Sequence, residues 1–410
     1  MSSNNKAILI LGCFDTKGED FLFLRSCIVE HGEKVITMNT GVMETTINFP
    51  VDIESDVVAL EAGYSIKALR ESDDRGQAVS IMGRGAAKFA ARLVAQNKIK
   101  AAIGMGGGGG TYIALSAMQE IPLSIPKLCL STLAAKDLSR QMGSKDIVLM
   151  PSIVDVAGLN SISRLLIRRA AAAICAMSEV GEEKVSTAAG TIAISMFGNT
   201  SDCVNQCSDL LRKQGYEVLA FHANGVGGKT MESLIGEKCF DAVLDVTTTE
   251  LADDLCGGIC SAGPGRLNAA AGLGIPQVVV PGCLDMVNFA QPDTVPVQYQ
   301  SRDLYNWAPD VTLMRTNKEE NKILGERLAQ KINRSPAPVK VLLPARGISQ
   351  IDAPGGVFCR PEINRVLFDA IKENTKSSIE VIETDAHIND PEFSAMLVNA
   401  LLSVMKKLQV

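Results

Sequence analysis

The sequence has little of what usually announces chemistry. Of its 410 residues three are histidine and one is tryptophan, and aromatic residues make up 4%. It contains no H-E-x-x-H, no EF-hand loop, no G-x-x-x-x-G-K-[ST] phosphate loop and no Ser-His-Asp pattern. No stretch approaches the roughly 18 consecutive apolar residues of a membrane span. The polar start, Met1-Ser2-Ser3-Asn4-Asn5-Lys6, is unlike a signal peptide, so we expect a cytoplasmic protein. Charge is not lopsided either: 40 basic against 46 acidic residues give −6, which argues against nucleic-acid or membrane partners. The eleven cysteines are odd in number and lie mostly in apolar surroundings, as at Cys129 and Cys175. They read as reduced core residues. Cys203/Cys207 and Cys256/Cys260 could share helix faces, but their spacing does not match zinc ligand patterns, and no metal ligand set is assigned.

What is plentiful is glycine. Gly104-Met105-Gly106-Gly107-Gly108-Gly109-Gly110-Thr111 follows an apolar run and leads into a helical pattern. Each glycine loses more backbone freedom on folding than any other residue. A strand-to-helix turn that keeps five of them either presents bare N–H groups to a phosphate or carboxylate, or packs tightly against another backbone. A second turn, Gly12-Cys13-Phe14-Asp15-Thr16-Lys17-Gly18, follows the apolar run from Ala7 to Leu11 and precedes a helix expected from about Phe21. There Lys17 could meet a phosphate and Asp15 a metal or a ribose hydroxyl. Equally, Asp15 or Thr16 could cap the helix.

Apolar strand-like runs alternate with helical patterns along the whole chain, which predicts an α/β fold. The polar stretch from Ser178 to Ser186 reads as a linker, giving domains over residues 1–180 and 187–410. Between Thr40 and Asp74 lies an irregular excursion, and Arg75 opens a long helix. A further helix is expected from Ile153 to Met177. Strand ends at Thr132, and the loops 222–229, 281–288 and 345–356, repeat the small polar, glycine-rich character. At the carboxyl edge of parallel sheets such loops could face a common interdomain cleft. Gly225, Gly227 and Gly228 belong to this set. His222 is the histidine placed for acid/base work, with Asp352 and Glu362 as candidate acids, although structural hydrogen bonds and caps are equally natural roles.

Taken together, Gly12 to Gly18, Arg75-Gly76-Gln77-Ala78-Val79, Gly104 to Thr111, Asp155 to Arg164, His222 to Met231, Leu244 to Glu250, Ser261-Ala262-Gly263-Pro264, Asp285 to Phe289 and His387 to Pro391 resemble a known pattern. It is that of the ATP-binding inhibitory domain family of the tomato mosaic virus resistance protein and its bacterial relatives. The resemblance runs from about residue 7 to 405. It implies two Rossmann-like domains with mainly parallel sheets flanked by helices, and a homodimer or larger assembly. It also implies ATP, held by Asp15, Thr16, Lys17, Gly106, Gly107, Gly108, Gly109, Gly110 and Thr111. From their places at strand ends Gly12 and Thr132 join the expected cofactor-binding residues, with magnesium as an expected companion ion. Asn224, Val226, Ala134-Ala135-Lys136 and Cys359-Arg360 depart from the pattern. Two rival readings are an enzyme acting on a phosphorylated or carboxylated small molecule, and a nucleotide-stabilised module that binds a partner protein.

Overall fold

The computed structural model describes residues 6–45, 50–180 and 189–406. The chain divides into two compact units at Lys184/Val185.

The first unit runs β1 (Ala7–Gly12), α1 (Phe14–Glu30), β2 (Val35–Asn39), α2 (Ser55–Glu61), α3 (Ile66–Glu71), α4 (Arg75–Ala95), β3 (Ile99–Gly106), α5 (Gly108–Gln119), β4 (Lys127–Ser131), α6 (Ser139–Met142), β5 (Ile147–Pro151) and α7 (Ser161–Glu179). Its five strands form one parallel sheet in the order β2-β1-β3-β4-β5. β1 is buried at every position, as expected of a central strand covered on both faces. One face packs Leu9, Leu11 and Ala102 against α4 and α5. The other packs Ile8, Ile10 and Ile103 against α1 and α7.

The second unit runs β6 (Thr191–Met196), α8 (Ser201–Lys213), β7 (Glu217–His222), α9 (Val226–Gly236), β8 (Ala242–Thr247), α10 (Glu250–Cys256), α11 (Ala269–Leu273) and β9 (Gln277–Gly282). It continues with β10 (Met286–Phe289), β11 (Leu304–Ala308), β12 (Val311–Arg315), α12 (Lys318–Ile332), β13 (Val339–Pro344), α13 (Pro361–Asn374), β14 (Glu380–Thr384) and α14 (Pro391–Lys406). Six strands make a parallel sheet, β14-β13-β9-β8-β6-β7, and β10-β12-β11 make a small antiparallel one. Both units are thus Rossmann-like, with parallel sheets flanked by helices. Among the described residues no helix is long and apolar enough to cross a membrane.

Local details differ from the sequence reading. α1 begins at Phe14 rather than near Phe21, with a break in helical geometry at Lys17 (φ −134°, ψ 27°). α7 begins at Ser161, not Ile153. Ile153 (φ 62°) and Gly158 (φ 101°) take left-handed backbone angles, and an Asn160/Ser163 capping box starts the helix. The irregular excursion holds the short helices α2 and α3. Of the expected linker, Ser178 and Glu179 finish α7, and residues 181–186 lie outside the described residues.

Candidate functional site

In the first sheet the winding reverses between β1 and β3, so their carboxyl ends part and leave a crevice. A cavity of about 690 Å³ opens there, and every residue lining it belongs to the first unit. Its walls come from Asp15, Thr16 and Lys17 on α1, residues 40–43 after β2, Arg75 at the start of α4, Gly107 to Gly110, Thr132 and Asp155.

The glycines have separate jobs. Gly107 caps α5 with no side-chain hydrogen bond, and the first helical bond is Thr111 N to Gly107 O, 2.8 Å. The amides of Gly108, Gly109 and Gly110 therefore precede the helical ladder without a side-chain cap, at the positive end of the helix dipole. A Cβ on Gly108 would meet nothing within 4 Å, whereas one on Gly109 would press Val79 at 3.2 Å. Gly106 needs no side chain for another reason: its Cβ would sit 3.0 Å from the Gly110 backbone. Gly12 lies under the Phe21 ring, where a Cβ would overlap it. Thr111 is buried, with its hydroxyl 2.6 Å from Ser131 Oγ. Gly12, Gly106 and Thr111 thus build the strand-to-helix turns and do not line the cavity.

The Asp15-Thr16-Lys17 tip is the first turn of α1, not a loop. Asn39 Oδ1 accepts from Phe14 N (3.1 Å) and Gly41 N (2.9 Å), supplying the cap that Cys13 does not. Asp15 accepts from Thr16 N and Met43 N, so its carboxylate braces the loop after β2. Lys17 Nζ donates to Val156 O. Where a dinucleotide fold carries a ribose-binding acid at the end of β2, this chain has Asn39, buried and committed. The sequence reading missed Arg75 as a cavity cation. It is exposed and makes no ion pair or hydrogen bond among the described residues. Asp74, which caps α4 through Gln77 N, is the local signal that puts Arg75 at a helix start.

The second unit has the same kind of reversal, between β6 and β8, but fills it with its own side chains. Thr200 and Thr247 join hydroxyls across it at 2.7 Å. In the 222–229 turn the backbone amides have acceptors within the unit. The Gly225 and Gly228 amides donate to Glu250 Oε1 (2.7 and 3.1 Å), and Gly227 N donates to Asn224 Oδ1. A Cβ on Gly228 would overlap the Glu250 carboxylate. Glu250 is held in turn by Arg266 Nε at 2.5 Å, and Arg266 forks onto Asp245 at 2.6 and 2.7 Å. All three side chains are buried.

His222, Asp352 and Glu362 are not joined by any hydrogen bond or ion pair among the described residues. His222 is exposed at the edge strand β7, its ring 5.3 Å from that of Phe197. Glu362 is exposed in the first turn of α13. Asp352 is buried and accepts from Ile348 N (2.9 Å) and Asn364 Nδ2 (2.6 Å), so it organises the loop after β13. Burial raises its pKa against the nearby Arg315. Burial likewise raises Asp285 to about 7, helped by Asp352.

Residues 6–183 match the N-terminal domain, and residues 189–405 the C-terminal domain, of the uncharacterised protein family UPF0261. The chain belongs to this family. A UPF0261 protein of Clostridium tetani is 41% identical over 404 residues, covering 98% of this chain and 100% of its own. One from Rhizobium meliloti is 38% identical over 397 residues, covering 96% and 98%. The tomato ToMV resistance protein Tm-1(GCR237) is 34% identical over 428 residues, covering 99% of this chain but 56% of the tomato protein. The ToMV susceptible protein matches at the same 34%, so the likeness does not single out resistance. UPF0261 thus gives the chain relatives over its whole length.

Proposed function

We propose that the first unit of this UPF0261 protein binds ATP, with the phosphates on the α5 N-terminus. One observation carries this reading: the uncapped amides of Gly108 to Gly110 open onto a cavity of about 690 Å³ at the point where the strand order reverses. Arg75 adds a positive charge on the same wall, and Val42, Leu69, Val79 and Ile113 offer apolar surface for a base. The resemblance to the ATP-binding inhibitory domain family supports the choice of nucleotide. A homodimer or larger assembly belongs to the same reading and rests on the resemblance alone.

Calorimetric titration with ATP and a non-hydrolysable analogue tests the proposal. No heat of binding at millimolar nucleotide, with and without magnesium, overturns it. Gly108→Val supplies the structural arm. Its side chain has room to fit the fold, so the variant should melt near the wild type and lose nucleotide affinity.

A further inference from the structure

The strands β3, β4 and β5 lie side by side in register, with Gly106 opposite Ser131 and Ser131 opposite Pro151. Their carboxyl ends therefore deliver three loops to one level of the cavity: the glycine turn, Thr132, and the segment after β5 that carries Asp155. Thr132 Oγ1 lies 3.8 Å from where a Cβ on Gly107 would stand. Its backbone N–H bonds Gly106 O at 3.2 Å, while its hydroxyl makes no hydrogen bond among the described residues. Asp155 lines the cavity, is exposed, and makes neither a hydrogen bond nor an ion pair among the described residues.

We infer that Thr132 and Asp155 hold the divalent cation that accompanies the nucleotide, the hydroxyl and carboxylate completing a magnesium shell begun by the phosphate oxygens. The inference rests on the nucleotide reading above. Magnesium keeps most of its waters and takes one or two protein oxygens beside substrate phosphates, so a full cage of side chains is not needed. A hydroxyl next to a phosphate-binding turn, with a carboxylate from a neighbouring strand end, is chemically sufficient.

The other acids of the wall are spent or set apart. Asp15 uses both oxygens on backbone amides, and Asp74 caps α4. Asp73 has no partner among the described residues, but it sits in the turn before α4 at φ 46° and no strand end sets it beside the glycine turn. The Asp155 segment is fixed from both sides. Lys17 Nζ donates to Val156 O, and Gly158 N donates to Asp20 Oδ2 at 3.1 Å. Lys17 is thus a clasp that leaves Asp155 without a cation of its own.

The test compares ATP affinity in EDTA and in magnesium for the wild type, Asp155→Asn, Thr132→Val and Asp73→Asn. Electron paramagnetic resonance of manganese reports the cation directly. The wild type should bind ATP more tightly in magnesium and take up manganese only when nucleotide is present. Asp155→Asn should bind ATP in EDTA at least as tightly as the wild type, because it removes a negative charge facing the triphosphate, but lose on the order of tenfold or more of the cation-dependent gain. Thr132→Val should lose part of it, and Asp73→Asn none. An undiminished gain in Asp155→Asn, a lost gain in Asp73→Asn, or loss of binding by Asp155→Asn already in EDTA overturns the inference. Wild-type binding in EDTA with no gain from magnesium overturns it alone. No wild-type binding under either condition brings down the nucleotide reading as well.

Discussion

Glu250 does inside the second unit what a ligand's phosphate would do in the first: it satisfies two glycine amides at a helix start and neutralises a buried cation. Truncating it leaves Arg266 Nε and those amides buried without an acceptor, while Asp245 still holds the rest of the guanidinium. Glu250→Ala should therefore destabilise the protein by roughly 3–5 kcal/mol, read as a lower urea midpoint. Glu250→Gln keeps the shape and one acceptor, and should cost less. Asp253 is a different kind of buried acid. It accepts from Cys260 N, Asn288 N and Asn288 Nδ2, yet burial raises its pKa to about 7. An unfolded aspartate titrates near 3.9. Between those values the native state holds a proton that the unfolded state has released, so stability falls as pH rises and levels off above about 7. Asp285, raised to about 7 as well, acts in the same direction. The melting temperature should drop from pH 5 to pH 8, and Asp253→Asn should flatten that slope. A rising melting temperature over the same range would refute the assignment.

Elements were legible where their signals are local. The apolar run at Ala7 predicts β1, and the glycine turn at 106–110 marks the passage from β3 into α5. Local signal fails where the deciding partner is distant in sequence. α1 starts early because Asn39, 25 residues away, caps Phe14 N, and nothing near Phe14 announces it. Asn39→Ala should unravel the first turn of α1, costing about 1 kcal/mol for the lost cap. It should also weaken nucleotide binding, since Asp15 and Thr16 ride on that turn. The same distance effect hid the filled crevice. Glu250 lies 25 residues beyond Gly225, so the 222–229 turn reads as an open anion site until the carboxylate that occupies it is seen. Asn160 and Ser163, in contrast, carried the α7 start in four residues, but the alanine-rich run after them drew the expected boundary too far forward.

At the scale of the molecule, two units of like topology differ in whether the crevice is open or self-filled. The chain should accordingly bind one nucleotide per copy, a stoichiometry that calorimetry gives directly; two equivalent sites would contradict the closed second crevice. Thr200→Val with Glu250→Gln should not create a second site, because Arg266 and Asp245 still occupy the ground beneath it. The clasp between α1 and the segment after β5 has a consequence in time. Lys17 meets Val156 across 139 residues, and Asp20 meets Gly158 across 138. Contacts that long form late. During synthesis the first unit must emerge almost whole before its first helix is pinned and its mouth takes shape. A ribosome-bound chain should be cut readily by protease near α1 while residues 156–158 are still inside the exit tunnel, and should resist once α7 has fully emerged.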